Sequence, residues 1–155
     1  MRIGIGYDIH RLVEGGAVML GGVKFPMNKR LAGHSDGDVL CHAIIDALLG
    51  AAGLGDIGQH FPDTNPAYKG ISSLKLLKKT ADSLASAGCA IINIDAVVVA
   101  ETPRLAPHKE KIAATLADVL NIHVSQISVK GKTAEGLGPI GEGNAICAHA
   151  VALIQ

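Results

Sequence analysis

The chain has 155 residues, 48% of them hydrophobic, and its 14 basic and 14 acidic residues give it a net charge of zero. A neutral chain with two Phe, two Tyr and no Trp lacks the basic surface and stacking side chains of a general nucleic-acid binder, and no apolar run approaches the ~20 residues of a membrane span. The length fits a single domain over residues 1–155, and the mean hydropathy of +0.34 indicates apolar surface buried between subunits.

The cysteine pattern and the N-terminus both predict a cytoplasmic protein. Cys41, Cys89 and Cys147 are odd in number, widely spaced and form no Cys-x-x-Cys pair, so we expect reduced and mostly buried thiols. The first residues read directly as a strand, and we therefore expect no signal or transit peptide.

The first 32 residues predict a strand, a hairpin and a connector. Residues 2–10 alternate between large apolar side chains and small or polar ones, which is typical of a β-strand and places Asp8 and His10 on one face. The glycines on that face would let another element approach closely. Residues 17–20 and 23–25 flank Gly21-Gly22 and predict a hairpin, after which residues 28–32 predict a connector.

The stretch from Gly33 to Asp63 combines many acidic and imidazole side chains with one apolar run that reads as a helix. Ser35, followed three residues later by Asp38, predicts a capping-box start, and Gly53 predicts the end. His42 lies one turn from a carboxylate on either side. It is either a metal ligand with supporting carboxylates, or a core histidine on a helix that Asp38 caps and whose Asp46 is solvated; the spacing leaves both open.

The rest of the chain predicts two glycine-rich loops among helices and strands. A loop over residues 53–70 precedes a helix from Ser72 to about Ala87, a buried strand over residues 90–100 and a helix over residues 108–120. A strand over residues 127–132, a second loop over residues 133–144 and a last strand over residues 145–154 complete the chain. This order predicts an α+β two-layer sandwich with about four main strands, helices on one face and a neighbouring subunit over the other.

Asp8, His10 and His42 form a two-His, one-carboxylate set that suits a catalytic zinc ion with an open fourth position. A histidine acting as a general base is the alternative, which leaves the carboxylates unexplained. Backbone amides of the glycine-rich loops, with Lys69, Lys132 and Thr133, are candidate phosphate ligands. From the residues alone we therefore predict metal-assisted chemistry on a phosphorylated small molecule.

Four segments carry a resemblance to a known family: GYDIHRL, HSDGDVLCHAIIDALLGAAGLGDIGQHFPDT, AETPRLAPH and KTAEGLG. Over essentially its whole length the chain resembles the 2-C-methyl-D-erythritol 2,4-cyclodiphosphate synthase family of the non-mevalonate isoprenoid pathway. The resemblance implies a homotrimer with active sites between adjacent subunits. It also implies a phosphorus–oxygen lyase that converts 4-diphosphocytidyl-2-C-methyl-D-erythritol 2-phosphate to the cyclic diphosphate and releases CMP.

The resemblance also assigns roles to individual residues. It implies that Asp8, His10 and His42 bind Zn²⁺, and that Glu135, a hard oxygen ligand, binds a second divalent cation, Mg²⁺ or Mn²⁺. The residues implied to stabilise the transition state are His34 and Thr133. The residues implied to bind substrate are Asp8, Ile9, His10, His34, Ser35, Asp56, Ile57, Gly58, Phe61, Pro62, Asp63, Thr64, Asn65, Ala100, Glu101, Thr102, Pro103, Arg104, Leu105, Ala106, Lys132, Thr133, Ala134 and Glu135.

Pro139 and Glu142 depart from the family pattern. Many members carry Phe and Arg there, lining a cavity on the threefold axis where isoprenoid diphosphates can bind. We expect the cavity of this chain not to retain such ligands, because three carboxylates would face the diphosphate; alternatively, the segment is shifted and Glu142 points into solvent. The competing functions are a metal-dependent phosphohydrolase of a small phosphorylated metabolite and a trimeric binding protein without turnover.

Overall fold

The computed structural model describes residues 1–155, and its main sheet has five strands instead of the four predicted. The sheet order is β4-β1-β7-β5-β6, with β5 and β6 parallel and the other neighbours antiparallel. The additional strand, β4, lies in the predicted connector and pairs with the far end of β1. Its three residues are too few to show an alternating pattern. The five strands are β1 (Arg2–Glu14), β4 (Lys29–Leu31), β5 (Ile91–Val99), β6 (Ile127–Lys132) and β7 (Ala145–Ile154).

The predicted hairpin is confirmed as a separate two-stranded sheet of β2 (Ala17–Leu20) and β3 (Val23–Pro26). Gly21 and Gly22 have φ angles of 57° and 75°. A two-residue turn with both φ angles positive matches the twist of the flanking strands, which explains the two glycines.

Three long helices and two single-turn helices complete the fold. The single-turn helices lie in the two segments predicted as glycine-rich loops, because four residues give no readable helical period. Short 3₁₀ turns occur at Pro66–Tyr68, Ala106–His108 and Val124–Gln126. The helices are α1 (Val39–Ala52), α2 (Ile57–His60), α3 (Ser73–Ser86), α4 (Lys109–Leu120) and α5 (Gly138–Gly141).

Asp38, rather than Ser35, caps α1, so the predicted capping box is wrong. The Asp38 carboxylate accepts a hydrogen bond from the Cys41 amide at 3.1 Å and lies fully buried. It also accepts bonds from the amides of Gly21 and Gly22, at 2.9 and 2.7 Å. The interpretation of Asp38 as a cap is thus confirmed, and the same carboxylate fastens the helix to the hairpin.

Helix α1 packs very closely on β1, as the glycines of the strand predict. A Cβ atom on Gly4 would lie 2.0 Å from the Ala47 carbonyl oxygen, and one on Gly6 would lie 1.9 Å from the Ala43 carbonyl oxygen. Any larger side chain would push the helix away from the strand. This close approach brings His42 of α1 against Asp8, near the middle of β1.

The helices cover one face of the main sheet, as expected of the two-layer α+β sandwich. Helix α1 packs on β1 and β7, α4 packs on β6, and α3 packs on α1 and α4. The other face exposes apolar side chains of β1, including Ile3 at 72% and Ile5 at 74%. All three cysteines are free, with Cys41 and Cys147 buried, which confirms the predicted thiol state. None of the helices combines the length and apolar character that crossing a bilayer requires.

Candidate functional site

Two candidate metal ligands lie side by side on β1, and a third reaches them from α1. Asp8 and His10 follow Gly4 and Gly6 along the strand with the same parity, so they project from the face that α1 covers. Asp8 Oδ2 lies 2.8 Å from His42 Nδ1 and 2.9 Å from His10 Nε2. One ligand atom from each of the three lies within 4.8 Å of the others, so the predicted two-His, one-carboxylate set is assembled.

The second nitrogen of each imidazole is also held. His10 Nδ1 is hydrogen-bonded to the backbone carbonyl oxygen of Ala32. His42 Nε2 lies 2.9 Å from Ser73 Oγ and 3.1 Å from Ser35 Oγ. Metal-binding histidines characteristically have their other nitrogen fixed in this way, since that fixes the orientation of the ring.

The electrostatics of this cluster fit a divalent cation. Burial favours the neutral form of the Asp8 carboxyl, but the hydrogen bonds and charges of His10 and His42 outweigh it and lower its pKa to about 2. The hydrogen bond to Asp8 in turn raises the pKa of His10 above the ordinary value, against the opposing effect of burial. An ionised carboxylate beside two imidazole nitrogens is the ligand set of many catalytic zinc sites.

A cavity of about 430 Å³ opens over the cluster and is lined in part by the first glycine-rich segment. Asp56 and Asn65, also predicted to bind substrate, are outside its lining and cap α2 and the following 3₁₀ turn. Beyond Asp8, His10 and His42, the predicted residues that line it are His34, Ser35, Ile57, Gly58, Phe61, Pro62, Asp63 and Thr64. The structure therefore places the candidate metal ligands and this group of candidate substrate ligands around one space.

Asp46 supports the loop beside this cavity instead of orienting His42 or lying free in solvent. Its Oδ1 accepts a hydrogen bond from the Ile57 amide at 2.8 Å, which joins α1 to the start of α2. Burial raises the pKa of the Asp46 carboxyl, and the nearby charges of Asp56 and Asp8 act in the same direction. The helical face on which Asp46 lies could be predicted, but its partner on α2 could not.

A second cavity, of about 330 Å³, lies where the segment after β5 meets the end of β6. The Ala134 amide donates to Glu101 Oε1 at 2.9 Å, which ties the two segments together. Thr133 donates its hydroxyl to Glu135 Oε1. The predicted residues that line this cavity are Ala100, Glu101, Pro103, Arg104, Leu105, Ala106, Lys132 and Thr133, while Thr102, Ala134 and Glu135 lie outside its lining.

The two cavities share no lining residue within one chain. Thr133 lines the second cavity, whereas the metal cluster lines the first. Ile9 lines neither, because its side chain lies on the open face of the sheet with 44% exposure. A single chain therefore brings the predicted site residues together in two groups.

The segment with Pro139 and Glu142, which departs from the family pattern, forms part of a third cavity of about 590 Å³. Its lining includes Pro139, Glu142 and Ile9, together with Arg11, which no motif in the sequence marks as a site residue. Glu142 Oε2 accepts a bond from Asn144 Nδ2 at 3.2 Å and forms no ion pair with Arg11. Each chain therefore brings the Arg11 guanidinium as well as the Glu142 carboxylate to this cavity. The expected repulsion of a diphosphate by Glu142 is opposed by the attraction of Arg11.

Several site residues were missed from the sequence. Ser73 touches His42, Asp36 touches Ser73, and Tyr68 and Leu76 line the first cavity. Ser73 and Asp36 are ordinary helix-start and loop residues by pattern, so no signal in the sequence marks them. Tyr68 packs edge-on against Phe61 with 5.5 Å between ring centroids, a pairing that depends on the loop geometry.

Known proteins with similar sequences match this chain over its whole length. A relative from Pelotomaculum thermopropionicum named 2-C-methyl-D-erythritol 2,4-cyclodiphosphate synthase is 57% identical over 155 residues, which is 100% of this chain and 96% of the relative. A relative of the same name from Syntrophomonas wolfei is also 57% identical, over 100% of this chain and 99% of its own length.

Solved structures are similar in fold as well. One described as 2C-methyl-D-erythritol-2,4-cyclodiphosphate synthase in a form bound to CDP has a TM-score of 0.90 and 36% identity, over 99% of this chain and 100% of that chain. The bifunctional IspDF of Campylobacter jejuni has a TM-score of 0.95 and 38% identity; 99% of this chain matches 42% of that longer chain. The sequence model of the YgbB family matches residues 1–155, and the chain belongs to the YgbB family.

Proposed function

We propose that this chain catalyses the cyclisation of 4-diphosphocytidyl-2-C-methyl-D-erythritol 2-phosphate to the 2,4-cyclodiphosphate, with release of CMP. The observation that carries the proposal is the convergence of Asp8, His10 and His42 beneath a cavity lined by the 57–64 segment. That cavity has the size of a small-molecule site. Full-length relatives at 57% identity carry the name of this activity.

The reaction needs little covalent chemistry from the protein. The nucleophile is the 2-phosphate of the substrate itself, which has a second pKa near ~6 and is largely ionised at neutral pH. Its attack on the β-phosphorus forms one P–O bond, breaks the bond to the CMP oxygen and leaves CMP as the departing group. The chain therefore has to hold two anions in line and offset their charge.

We infer that Asp8, His10 and His42 hold Zn²⁺, and that the exposed Glu135 carboxylate holds Mg²⁺ or Mn²⁺ together with the diphosphate. Magnesium is commonly bound by one or two carboxylates and the phosphates of a substrate, so a single exposed Glu suffices. When bound, such cations supply charge neutralisation on the phosphoryl oxygens.

The remaining residues bind and orient the substrate. We infer that His34 and Thr133 stabilise the transition state from the rims of the first and second cavities. Ser35, residues 56–58 and residues 61–65 hold the methylerythritol and its phosphates. The segment Ala100–Ala106 receives the cytidine, and Lys132–Glu135 closes over the diphosphate. We also treat residues 1–155 as one catalytic domain, and the cytoplasmic location stays a prediction.

The separation of the two cavities supports a site shared between subunits. We infer a homotrimer in which the first cavity of one chain faces the second cavity of its neighbour. The open sheet face supports this assembly, because Ile3, Ile5 and Tyr7 expose 72%, 74% and 49% of their surface along one strand. Such an apolar stripe is typical of a subunit contact.

The decisive experiment follows the products by ³¹P NMR after the purified chain is mixed with the substrate, Zn²⁺ and Mg²⁺. We expect the cyclic diphosphate and CMP in equal amounts. A linear monophosphate in place of the cyclic product would indicate water as the nucleophile and a phosphohydrolase. Absence of any product would leave a binding protein.

A further inference from the structure

The two candidate histidine ligands differ in what holds their second nitrogen. His10 is bonded to the carbonyl oxygen of Ala32, which can only accept, so the proton must lie on His10 Nδ1. His42 Nε2 is bonded to Ser73 Oγ at 2.9 Å, and a hydroxyl can either donate or accept. Asp8 Oδ2, 2.8 Å from His42 Nδ1, favours a proton on that nitrogen while no metal ion is bound, so the tautomer of His42 depends on this bond and on the direction in which the Ser73 hydroxyl points.

Asp36 sets that direction. Its Oδ2 accepts from the Ser73 amide at 3.0 Å, and its Oδ1 faces the Asp38 amide at 3.3 Å. Backbone amides only donate, so both carboxylate oxygens are committed as acceptors. The Ser73 hydroxyl, 2.5 Å from Asp36 Oδ1, consequently donates to Asp36 and offers its lone pair to His42.

We propose that Asp36 and Ser73 are positioning residues that keep the proton of His42 on Nε2 and leave Nδ1 free to bind a metal ion. The proposal rests on the metal site of the proposed function. It concerns two residues behind the ligand that line neither cavity of the proposed site, although Ser73 Oγ lies 3.3 Å from Ser35 Oγ. Ser73 is 0% exposed and His42 is 9% exposed, so bulk water does not substitute for this chain of bonds.

Ser35 does not set the direction. Its Oγ lies 3.1 Å from His42 Nε2 and 3.3 Å from Ser73 Oγ, and it accepts from the Gly37 amide at 3.2 Å. Its own hydroxyl proton can turn to Ser73, which is consistent with Ser73 accepting two bonds and donating one. The Ser35 hydroxyl can both donate and accept, whereas the ionised Asp36 carboxylate can only accept.

The variant Asp36→Asn has nearly the same side-chain shape and should reverse the direction of these hydrogen bonds, at the cost of the weak 3.3 Å bond from the Asp38 amide. The Ser73 amide requires the carboxamide oxygen of the new side chain, which turns the NH₂ group towards Ser73 Oγ. The hydroxyl must then accept from the NH₂ group and donate to His42 Nε2. That favours the proton on Nδ1, the nitrogen that faces Asp8, and blocks the metal-binding lone pair.

The test measures two quantities on the full chain. Zinc affinity is obtained by competition with a chelator, and the protonated nitrogen of His42 is identified by ¹⁵N NMR of the zinc-free protein near pH ~9, above the ordinary histidine pKa of about 6.5. We expect Asp36→Asn to bind zinc about 10- to 100-fold more weakly. We also expect a larger fraction of His42 protonated on Nδ1 than in the unaltered chain, where Asp8 alone favours that form.

Ser72→Ala is the matched control, since Ser72 is the adjacent serine at the start of α3 and its side chain makes no capping bond. It should bind zinc like the unaltered chain. Ser73→Ala removes the acceptor but leaves Ser35, so it should weaken zinc binding less than Asp36→Asn does. Failure of the unaltered chain to bind zinc would refute the proposed metal site itself.

Two results would overturn the positioning role where the unaltered chain binds zinc. The first is unchanged zinc affinity in Asp36→Asn. The second is weaker affinity without any movement of the His42 ring proton, because a merely structural role of Asp36 would weaken the site without changing the tautomer.

Discussion

Two regions of this chain carry the proposed chemistry, and they differ in how completely hydrogen bonds within one chain hold their side chains in place. The metal corner, which consists of Asp8, His10, Asp36, His42 and Ser73, draws on β1, α1, α3 and a loop, and every side chain in it is hydrogen-bonded. The nucleotide edge, residues 100–106 and 131–135, exposes Lys132, Thr133 and Glu135. One side-chain hydrogen bond joins its two segments, with the Glu101 carboxylate accepting from the Ala134 amide.

The difference follows from what each region has to do alone. A metal ion needs ligands held in place before it binds, and one chain can supply them by packing a helix on a strand. The nucleotide edge carries groups for a flexible anionic substrate, and part of its surroundings is proposed to come from the next subunit. If each site takes the metal corner of one chain and the nucleotide edge of its neighbour, a chain broken in one region and a chain broken in the other should complement each other in a mixed trimer.

The largest effect is expected from His42→Ala. The variant should fold, because the α1 core is otherwise intact, but it should lose zinc and retain below about a thousandth of the turnover, since a bound cation is worth several kcal/mol to charged transition states. Metal analysis and an assay of CMP release measure both quantities.

His123→Ala is the control for this variant. His123 is exposed and lies before β6, at the opposite end of that strand from the nucleotide edge. It should keep zinc and turnover. Stoichiometric zinc and ordinary turnover in His42→Ala would remove the metal corner from the proposed function.

The next prediction tests whether each active site is shared between two subunits. Glu135→Ala alone should be inactive, and so should His42→Ala alone, but trimers reassembled from equal amounts of both should regain activity. If each site takes His42 from one chain and Glu135 from its neighbour, about a quarter of the sites in a random mixture are intact. Unfolding, mixing, refolding and assaying CMP release measures the recovery.

A mixture that regains no activity would contradict the shared site. If both residues served a site within one chain, every site in the mixture would contain a defect and no activity would return. A double variant, with His42→Ala and Glu135→Ala on the same chain and mixed with the unaltered chain, controls for refolding losses. Sedimentation of the active material should show a trimer.

A smaller effect is expected on stability in acid. Because the pKa of Asp8 is lowered from 3.8 to about 2, its ionised form stabilises the fold above pH 3.8, and that contribution is lost as the pH falls towards 2. For the zinc-free chain the loss is about 2 kcal/mol of unfolding free energy, by proton linkage. In Asp8→Asn the decrease between these pH values should be smaller by that amount.

Urea unfolding of chelator-treated protein across this pH range measures the difference. Asp82→Asn is the comparison variant, because this exposed carboxylate on α3 pairs only with Lys78. It should follow the unaltered chain. Parallel pH curves for Asp8→Asn and the unaltered chain would mean that the hydrogen bonds of Asp8 to the two histidines do not stabilise the fold.

Asp46→Asn should have a still smaller effect, a decrease in turnover of less than about tenfold. The carboxamide oxygen can keep the bond to the Ile57 amide, and Asp46 does not touch His42. Asp46→Ala leaves that amide without its partner and should cost more, through the position of α2. A loss of zinc in Asp46→Asn as complete as in His42→Ala would show that Asp46 does orient the ligand.

The sequence could predict the metal ligands because regular periods place them. The strand period puts Asp8 beside His10, and the glycines before them explain how α1 brings His42 close. No period connects Asp36 with Ser73, which lie 37 positions apart and meet only after α1 and α3 have packed. Strand β4 and helix α2 were missed because three or four residues are too short to show a pattern. The contact between Asp46 and the Ile57 amide was missed because helical periodicity predicts the face on which a residue lies but not the segment that packs against that face.

The smallest effect on catalysis is expected in the segment that follows the nucleotide edge and contains Pro139 and Glu142. Glu142→Arg should leave turnover unchanged, since residue 142 lies in the third cavity, away from both proposed half-sites. If charge is what prevents binding, the substitution should also allow the proposed trimer to retain farnesyl diphosphate. In the unaltered chain each Glu142 opposes the ligand while Arg11 attracts it, and the substitution changes this balance by two charges per chain in favour of an anion.

Native mass spectrometry of the trimer before and after addition of farnesyl diphosphate measures retention, and Pro139→Phe separates charge from shape. If charge decides, Glu142→Arg binds one diphosphate per trimer and Pro139→Phe does not. If the missing aromatic surface decides, the pattern reverses. Retention of one diphosphate per trimer by the unaltered chain would refute the expectation, and would show that three Arg11 side chains on the threefold axis suffice to hold the anion against three carboxylates.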